Sequence, residues 1–516
     1  MLNKAGREIP TNIPGLEGHE VYQGEFAIEP KVARAGKPVR LHKPGENKVL
    51  ASIDEAIEKT GLKDGMTVSF HHHFRNGDYV TKMVMEAIQR KGIKDITVAS
   101  SSLSPCHDFL IDMIEDGTVT AIETSGLRSK LGKYLTQNPG KLKRPVIIRS
   151  HGGRARAVEC GEVHIDVAFL GAPTADVRGN ATGMVGKSTC GSIGYAIVDA
   201  RHADQTVIIT DNLVDFQAPA SIPATDVDYV VAVDEVGDPE GIATGATGFT
   251  KNPTQLKIAE MAGKFLEEAG LIHDGFNFQL GAGGAPLTVG KHIAAALRKN
   301  GWVAGTALGG VTGVMTDMLE EGLVRSIYDT QSFDTTAAAS LVKNVNHVEV
   351  SGSMYANPWT DCCTNYVDVV FLGATEIDTD FNVNVITDSN GVLMGASGGH
   401  SDTAAGSKCT VITCPLIRGR LPMIRDAVST IVTPGSSVDV LVTERGIAIN
   451  PARTDLIEAV KDTNLPIFTI EELQEMAYKM VGKPEDVPVS QDDKDIVAVI
   501  EYRDGSIIDV VRKPLK

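Results

Sequence analysis

Two halves of this chain carry the same sequence pattern. HIDVAFLGAPTAD, which begins at His164, returns as YVDVVFLGATEID at Tyr366. TVIIT at 206–210 returns as CTVIT at 409–413, and DGMTVSF at 64–70 resembles DGFNFQL at 274–280. Three matches in the same order and at nearly constant spacing indicate an internal duplication. We therefore expect two similar domains with a functional site shared between them.

Within each half, short runs rich in Val and Ile alternate with helical patterns. Strands that are apolar throughout and separated by helices predict an α/β fold with mainly parallel sheets. A chain of 516 residues is too long for one ordinary core. We predict tandem domains over 46–235 and 236–516, with the break near 225–252, where Gly, Thr and Pro interrupt the apolar pattern. Residues 1–45 predict an arm that wraps the body or another subunit, simple disorder being the alternative.

Charge and cysteine usage exclude several classes of protein. The formal charge of −17 argues against nucleic acid or an anionic membrane as the main partner. Seven cysteines, an odd number without CxxC spacing, indicate reduced thiols of a cytoplasmic protein. The first residues lack an apolar signal region, and no apolar run approaches 18 residues, so we expect neither export nor a membrane span.

Three Gly-rich stretches are candidates for chemistry. FNFQLGAGGAPLTVGKHIAAAL runs from a strand through Gly281, Gly283 and Gly284 into a helix, and such a turn presents N–H groups to a phosphate or an oxyanion. Taken alone, it is equally well explained as a tight turn. The others are DSNGVLMGASGGHSDTAAGS and VTERGIAINPAR. Their combined order is more specific than any one of them.

LGAGGAP, GGHSD followed by AGS, and VTERGIA resemble the corresponding blocks of the coenzyme A transferase and acetyl-CoA hydrolase superfamily. Within it, the whole chain, including SFHHHFRNGD, SHGGRARAVECGE and GMVGKSTCGSIGYA, resembles the family of citrate lyase alpha chains. The resemblance implies tandem domains of the NagB/RpiA/CoA transferase type. It also implies a citrate CoA-transferase, which exchanges acetyl for citryl on an acyl carrier protein.

The resemblance implies the partners as well. The acyl donor would be an acetyl thioester on a CoA-derived prosthetic group of the carrier (gamma) subunit, and a citryl lyase (beta) subunit would cleave the product. We expect a homo-oligomer within that complex, with no tightly bound cofactor and no metal. The alternatives are an acyl-CoA hydrolase and a non-catalytic scaffold subunit.

One departure from the superfamily bears on mechanism. Many members carry a nucleophilic Glu after the Gly-rich turn, and Gly309 occupies that position here. The acids that follow, Asp317, Glu320 and Glu321, are best explained as a solvated helix face. Without an enzyme nucleophile, the incoming carboxylate must attack the thioester itself, which demands proximity, desolvation and an oxyanion site.

Candidate site residues follow from these motifs. We predict catalytic roles for Gly283, Gly398 and Gly399, as oxyanion donors or by clearing space for the thioester arm. The predicted substrate-binding residues are His71, His72, His73, Arg75, Arg154, Gly281, Gly284, Ser397 and Asp402. HHHFRNGD stands at the first-half position equivalent to LGAGG, so both loops could face one cleft. A structural turn with exposed histidines is the alternative, and a surface loop is the alternative for Arg154 and Arg156, whose guanidinium groups suit carboxylates.

Four tempting patterns are set aside. No carboxylate or Cys spacing accompanies the His run, which disfavours a metal site there. GMVGKS at 183–188 imitates a phosphate-binding loop, but Ala181 stands where the first Gly is required. GASGG at 395–399 satisfies GxSxG, yet GGHSD is a poor helix start for a nucleophile elbow. Cys362 and Cys363 are expected to pack in the core.

Overall fold

Helices alternate with strands throughout the computed structural model, which describes residues 1–30, 32–242, 249–281 and 283–515. The strands are β1 (Val49–Leu50), β2 (Thr67–Phe70), β3 (Ile96–Ser100), β4 (Val119–Thr124), β5 (Val146–Arg149), β6 (Val167–Ala172), β7 (Thr174–Asp176), β8 (Ala181–Thr182), β9 (Gln205–Thr210), β10 (Leu213–Val214), β11 (Tyr229–Ala232), β12 (Phe278–Leu280), β13 (Ala304–Val311), β14 (Val324–Ser332), β15 (His347–Glu349), β16 (Val369–Leu372), β17 (Glu376–Asp378), β18 (Val383–Asn384), β19 (Cys409–Thr413), β20 (Ile417–Arg418), β21 (Leu421–Pro422), β22 (Ile424–Arg425), β23 (Val440–Val442), β24 (Ile447–Ile449), β25 (Ile467–Phe468), β26 (Ile496–Glu501) and β27 (Ile507–Arg512). The helices are α1 (Ile53–Thr60), α2 (Val80–Arg90), α3 (Leu110–Glu115), α4 (Ser129–Gln137), α5 (His151–Glu159), α6 (Gly194–His202), α7 (Pro239–Ile242), α8 (Pro253–Glu268), α9 (Gly284–Asn300), α10 (Gly313–Glu320), α11 (Thr335–Lys343), α12 (Gly352–Ala356), α13 (His400–Gly406), α14 (Thr454–Val460) and α15 (Ile470–Val481).

Two large sheets organise the molecule, with strand orders β1-β11-β9-β6-β2-β3-β4-β5-β26-β27 and β15-β14-β13-β12-β16-β19-β23-β24-β25. Apart from the β26–β27 and β23–β24 pairs, which are antiparallel, the neighbouring strands run parallel. The stretch β11-β9-β6-β2-β3-β4-β5 of the first sheet corresponds to β23-β19-β16-β12-β13-β14-β15 of the second. This shared strand order agrees with the internal duplication seen in the sequence. The predicted α/β class with mainly parallel sheets is confirmed.

Burial explains why the repeated segments form central strands. A parallel strand covered by helices on both faces must be apolar throughout, and every residue of β6, VAFLGA, is buried. Its counterpart β16, VVFL, is equally buried. The three remaining sheets are small, with orders β10-β7-β8, β18-β17-β22 and β20-β21. The first two again contain matching strands from the two halves.

The two ends of the chain meet on the first sheet. The strands β26 and β27 extend it beyond β5, so residues of the predicted second domain complete the sheet of the first. Ile9, Ile13, Leu16 and Val21 pack against this edge as a buried apolar cluster. The domain bounds at 46 and 236 stay predictions, and part of the break, residues 243–248, lies outside the described residues. Among the described helices, none combines the length and the apolar character needed to cross a membrane.

Candidate functional site

A cleft of about 630 Å³ lies where the carboxyl ends of the two large sheets come together. Ligands of open α/β sheets bind at this end of the strands. Loops that follow β2, β3, β4 and β5 line the cleft from the first half, and loops that follow β12, β14 and β16 line it from the second. Its polar lining comprises His72, Arg75, Asn76, Ser102, Ser104, Ser125, Arg128, His151, Tyr195, Gln279, Gln331, Tyr355, Thr375, Ser397 and His400.

Two guanidinium groups line the cleft, and none of the described lining residues is a carboxylate. Arg75 lies over the Phe333 ring at 4.5 Å, and burial lowers its pKa to about 10, so it stays charged at neutral pH. Its φ of +54° lies in a region that costs a residue other than Gly about 1–3 kcal/mol. Arg128 caps α4, and within the described chain its guanidinium has no hydrogen bond or ion pair. The cleft is therefore built for an anion.

The three consecutive histidines take three different partners, so they do not converge on one ion. His72 lines the cleft and its Nδ1 bonds Ser101 Oγ at 2.6 Å. His73 is buried, and its Nε2 donates to the Gly171 carbonyl at 2.9 Å. His71 is also buried, with Nε2 at 2.8 Å from an Asp199 carboxylate oxygen. Only His72 of the three borders the cleft.

Arg154 lies behind the cleft and is already fully engaged. Its guanidinium donates to both carboxylate oxygens of Asp199, at 2.8 and 2.7 Å, and to the Ala99 carbonyl at 3.0 Å. These residues and His71 form one buried network. Arg154 is not among the residues that line the cleft, and its contact with a substrate carboxylate stays a prediction. Arg156 is likewise paired, with Glu162 and Glu501.

The Gly-rich turn after β12 reaches the cleft through its first glycine. Gly281 lines the cleft, and its N–H donates to the Phe371 carbonyl at 2.8 Å. Gly283, with φ of +132°, precedes α9 and is not among the lining residues. Gly284 packs elsewhere, since a Cβ there would meet Gln255 Oε1 at 2.2 Å. Ala282 lies outside the described residues.

The second Gly-rich turn, 397–399, lies on the same cleft as Gly281. Ser397 is anchored by its N–H, which donates to the Ser125 carbonyl at 2.7 Å. Gly398 has a φ of +54°, and a Cβ at Gly399 would lie 2.6 Å from the Tyr355 hydroxyl. Among the described residues, no acceptor engages the N–H groups of Gly398 and Gly399. Two free donors on a cleft are what an oxyanion requires.

The expectation that GGHSD is a poor helix start is wrong. GGHSD does begin a helix, because α13 starts at His400. Ser397 nevertheless lacks the partner of a hydrolase nucleophile, since both ring nitrogens of His400 are engaged, by Thr433 Oγ1 at 2.7 Å and the Gly373 carbonyl at 2.8 Å. Within the described chain, no hydrogen bond joins Ser397 Oγ to a histidine.

Asp402 holds a helix of the other half instead of lining the cleft. Ser150 Oγ donates to one of its carboxylate oxygens at 2.7 Å, and the Gly152 N–H donates to the other at 2.8 Å. Both donors belong to the first turn of α5. A Cβ at Gly152 would lie 2.0 Å from the Ala356 carbonyl oxygen. In this arrangement Asp402 positions the start of α5, and its contact with substrate stays a prediction.

Gly309 lies within β13, beside the Gln279 side chain. Its φ is +109°, and a Cβ there would meet Gln279 Cδ at 2.7 Å, so a glutamate does not fit this backbone. The acids of the following helix are exposed, as expected. Glu320 pairs with Lys343 at 2.8 Å and Glu321 with Arg298 at 2.5 Å. None of them lines the cleft.

Several residues that line the cleft were not identified from the sequence motifs. Besides Arg128, these are His151, Tyr195, Gln279, Gln331 and Tyr355. The signal that could have found some of them is position: Arg128 follows β4, His151 follows β5, and Gln279 lies near the end of β12. Tyr195 and Tyr355 lie on helices of the interface between the halves, and their position depends on how the halves pack.

The remaining patterns are structural. No phosphate-binding loop forms at 183–188, since the next helix starts only at Gly194 and Ser188 donates to Asp211 at 2.5 Å. Cys362 is buried and Cys363 is half-buried. All seven cysteines are free thiols.

Comparisons with known proteins agree with one another. Residues 46–514 match the family model described as citrate lyase, alpha subunit (CitF). The citrate lyase alpha chain of Klebsiella pneumoniae is 51% identical over 470 residues, which is 91% of this chain and 92% of that one. The Escherichia coli K12 citrate lyase alpha chain is 49% identical over 477 residues, 92% of each chain.

Solved structures give the same result. A Streptococcus mutans structure described as a citrate lyase alpha subunit in complex with citrate matches with a TM-score of 0.95 and 52% identity over 100% of both chains. A malonate decarboxylase alpha subunit from Acinetobacter baumannii matches with a TM-score of 0.63 and 16% identity, covering 84% of this chain and 89% of that one. The second likeness concerns the fold alone.

Proposed function

This chain belongs to the family of citrate lyase alpha subunits, and from that premise we propose that it is a citrate CoA-transferase. It exchanges the acetyl group of a thioester for a citryl group and releases acetate. One observation carries the proposal: the cleft between the two sheets is lined by Arg75 and Arg128 and by no described carboxylate. Such a lining suits a polycarboxylate substrate and offers no enzyme acid to be acylated.

The two guanidinium groups bind citrate and orient it. Arg–carboxylate pairs are short, directional and often bidentate, so two of them fix both the position and the tilt of a tricarboxylate. The hydroxyl groups of Ser102 and Ser104, which also line the cleft, add neutral donors, whereas the Ser125 hydroxyl already donates to the Ser101 carbonyl. One carboxylate is then left to face the thioester, which gives a weak nucleophile the proximity it needs.

The transfer proceeds through a mixed anhydride. A citrate carboxylate oxygen bonds to the acetyl carbonyl carbon, the carbonyl electron pair moves to oxygen, and its return expels the thiolate. The thiolate then attacks the citryl carbonyl of the anhydride, and acetate leaves. The free N–H groups of Gly398 and Gly399 stabilise the oxyanion in each addition.

The donor and the partners are part of the same proposal. The acetyl thioester is carried on a CoA-derived arm of an acyl carrier protein, and a lyase subunit cleaves the citryl thioester. The chain works in the cytoplasm as a homo-oligomer within that complex. The citrate named for the Streptococcus mutans relative supports the substrate assignment.

The test mixes the purified chain with acetyl-CoA, or an acetylated carrier protein, and ¹⁴C-labelled citrate. Acetate release and label in the thioester should rise together at one to one. Acetate without labelled thioester would indicate a hydrolase. Absence of both, with either donor, would indicate a scaffold subunit.

A further inference from the structure

His151 stands at the junction of the two halves, and its backbone is fixed from both sides. It begins α5, where Ser150 Oγ caps the helix by accepting from the Gly153 N–H at 3.0 Å. The His151 N–H donates to the Gly398 carbonyl of the other half at 2.8 Å. Asp402 holds the flanking groups of the same turn. An imidazole on such a scaffold has little freedom to move.

The ring is fixed as well. It packs against Tyr195, at 4.3 Å between ring centroids, and against His72, at 5.2 Å and nearly parallel, and those two rings also lie 5.4 Å from each other. Nδ1 is buried and has no hydrogen-bond partner among the described residues. Nε2 points the other way, 3.7 Å from the position that a Cβ on Gly398 would take. Nε2 therefore borders the space that Gly398 leaves open.

The lowered pKa of His151 suits a hydrogen-bond donor and does not suit a general base. Burial, with the charges of Arg154 and Arg128, lowers its pKa to about 3, so the ring is neutral at pH 7. A neutral imidazole carries one N–H. Because Nδ1 faces no acceptor, the proton belongs on Nε2, where a ligand oxygen in the cleft can accept it.

We propose that His151 is a catalytic residue whose Nε2–H donates a hydrogen bond to the thioester carbonyl oxygen as it becomes an oxyanion. This inference rests on the transferase function proposed above. In the first addition, the citrate carboxylate forms a bond to the acetyl carbonyl carbon and the π pair moves to oxygen. In the second, the thiolate adds in the same way to the citryl carbonyl of the anhydride. The Nε2 proton stays on nitrogen throughout, and the pair returns when the leaving group departs. The Nε2–H adds to the N–H groups of Gly398 and Gly399, the donors proposed above for the same oxygen.

The other cleft histidines fit this role less well. His400 has both ring nitrogens bonded to protein atoms, so it has no N–H for a ligand. His72 Nδ1 is hydrogen-bonded to Ser101 Oγ, and His72 is one of the predicted substrate-binding residues. Among these three rings, His151 is the one whose Nε2 adjoins the Gly398 backbone.

Two substitutions separate the N–H from the ring. His151→Phe keeps an aromatic ring against Tyr195 and His72 but removes the donor. His151→Gln removes the ring but places an amide N–H near the position of Nε2. His164→Gln, at an exposed site, is the matched control. We expect His151→Phe to lower kcat by about 10²–10³-fold, the usual cost of one oxyanion donor, with KM for citrate and for acetyl-CoA changed less than threefold.

The Gln variant should recover kcat to within about tenfold of the wild type. The pH dependence of kcat from pH 6 to 8 should be the same in the wild type and the Phe variant, since His151 does not titrate there. If His151→Phe does not fold, His151→Asn, which is too short to reach the Nε2 position, should show the same loss. The inference would be overturned by a His151→Phe kcat within threefold of the wild type or by a Gln variant as slow as the Phe variant. It would also be overturned if the pH dependence of kcat seen in the wild type were absent from the Phe variant. Wild-type chain that transfers no label from citrate would overturn the proposed function, and this role with it.

Discussion

The His151 N–H donates to the Gly398 carbonyl at 2.8 Å, and this bond ties a helix of the first sheet to a turn of the second. The same turn presents the free N–H groups of Gly398 and Gly399. The first half also supplies Arg75 and Arg128. The cleft therefore draws its lining from both repeats.

Replacing Gly398 by Val should lower kcat by about 10²–10³-fold. The residue has a φ of +54°, and a side chain there would fill the space beside His151 Nε2. Gly61→Val is the control for backbone strain, since Gly61 has a φ of +65° in open space at the end of α1. Both variants should lose stability, and only Gly398→Val should lose turnover in the acetate-release assay. Near-normal kcat in Gly398→Val would contradict the shared cleft.

Removing either cleft guanidinium should weaken citrate binding selectively. Losing a charged contact costs about 1.5–3 kcal/mol, or roughly tenfold or more in KM. We expect Arg75→Ala and Arg128→Ala each to raise the KM for citrate by that factor while the KM for acetyl-CoA changes little. Arg298→Ala, which breaks an exposed pair with Glu321, should change neither. Equal effects on both substrates would indicate a structural role for the arginine concerned.

No covalent acyl-enzyme should accumulate during turnover. Gly309 has no side chain that could be acylated, and no described lining residue is a carboxylate. Borohydride or hydroxylamine trapping with acetyl-CoA present, followed by intact mass measurement, should leave the protein mass unchanged. A stable adduct on any Glu or Asp would refute direct attack.

Stability should fall with pH between about 6.5 and about 4. Burial lowers the pKa of His73 and of His400 to about 4 in the folded chain. Between these pH values the two histidines are protonated in the unfolded chain but stay neutral in the folded chain. The free energy of unfolding therefore decreases as pH falls. From pH 7 to pH 5, His400→Gln should lose about 2 kcal/mol less than the wild type in urea unfolding. The exposed-site variant His164→Gln should follow the wild type, and equal losses in all three would count against this titration.

Much of the fold could be predicted from the sequence because the duplication shows the same strand pattern twice along the chain. The repeat at His164 and Tyr366 marks two strands that are buried on both faces, and such strands have a clear apolar signal. The joining of β26 to β5 could not be predicted this way. Strand pairing between distant segments depends on packing, which leaves no local pattern.

The site was predicted less completely, for a physical reason. Arg75, His72, Gly281 and the 397–399 turn belong to motifs and do line the cleft. Arg154 belongs to a motif as well, yet it serves the buried Asp199, because a local sequence cannot show which carboxylate its guanidinium will meet. Arg128 reaches the cleft from a stretch with no motif at all.

The most direct test of direct transfer follows oxygen atoms. A single turnover with acetyl-CoA and citrate labelled with ¹⁸O in its carboxylates should release acetate that carries one ¹⁸O, because the attacking oxygen stays with the acetyl carbon. Label in acetate at one atom per turnover is the result that a mixed anhydride predicts. Unlabelled acetate in the first turnover, with the oxygen drawn from the protein or from water instead, would contradict it.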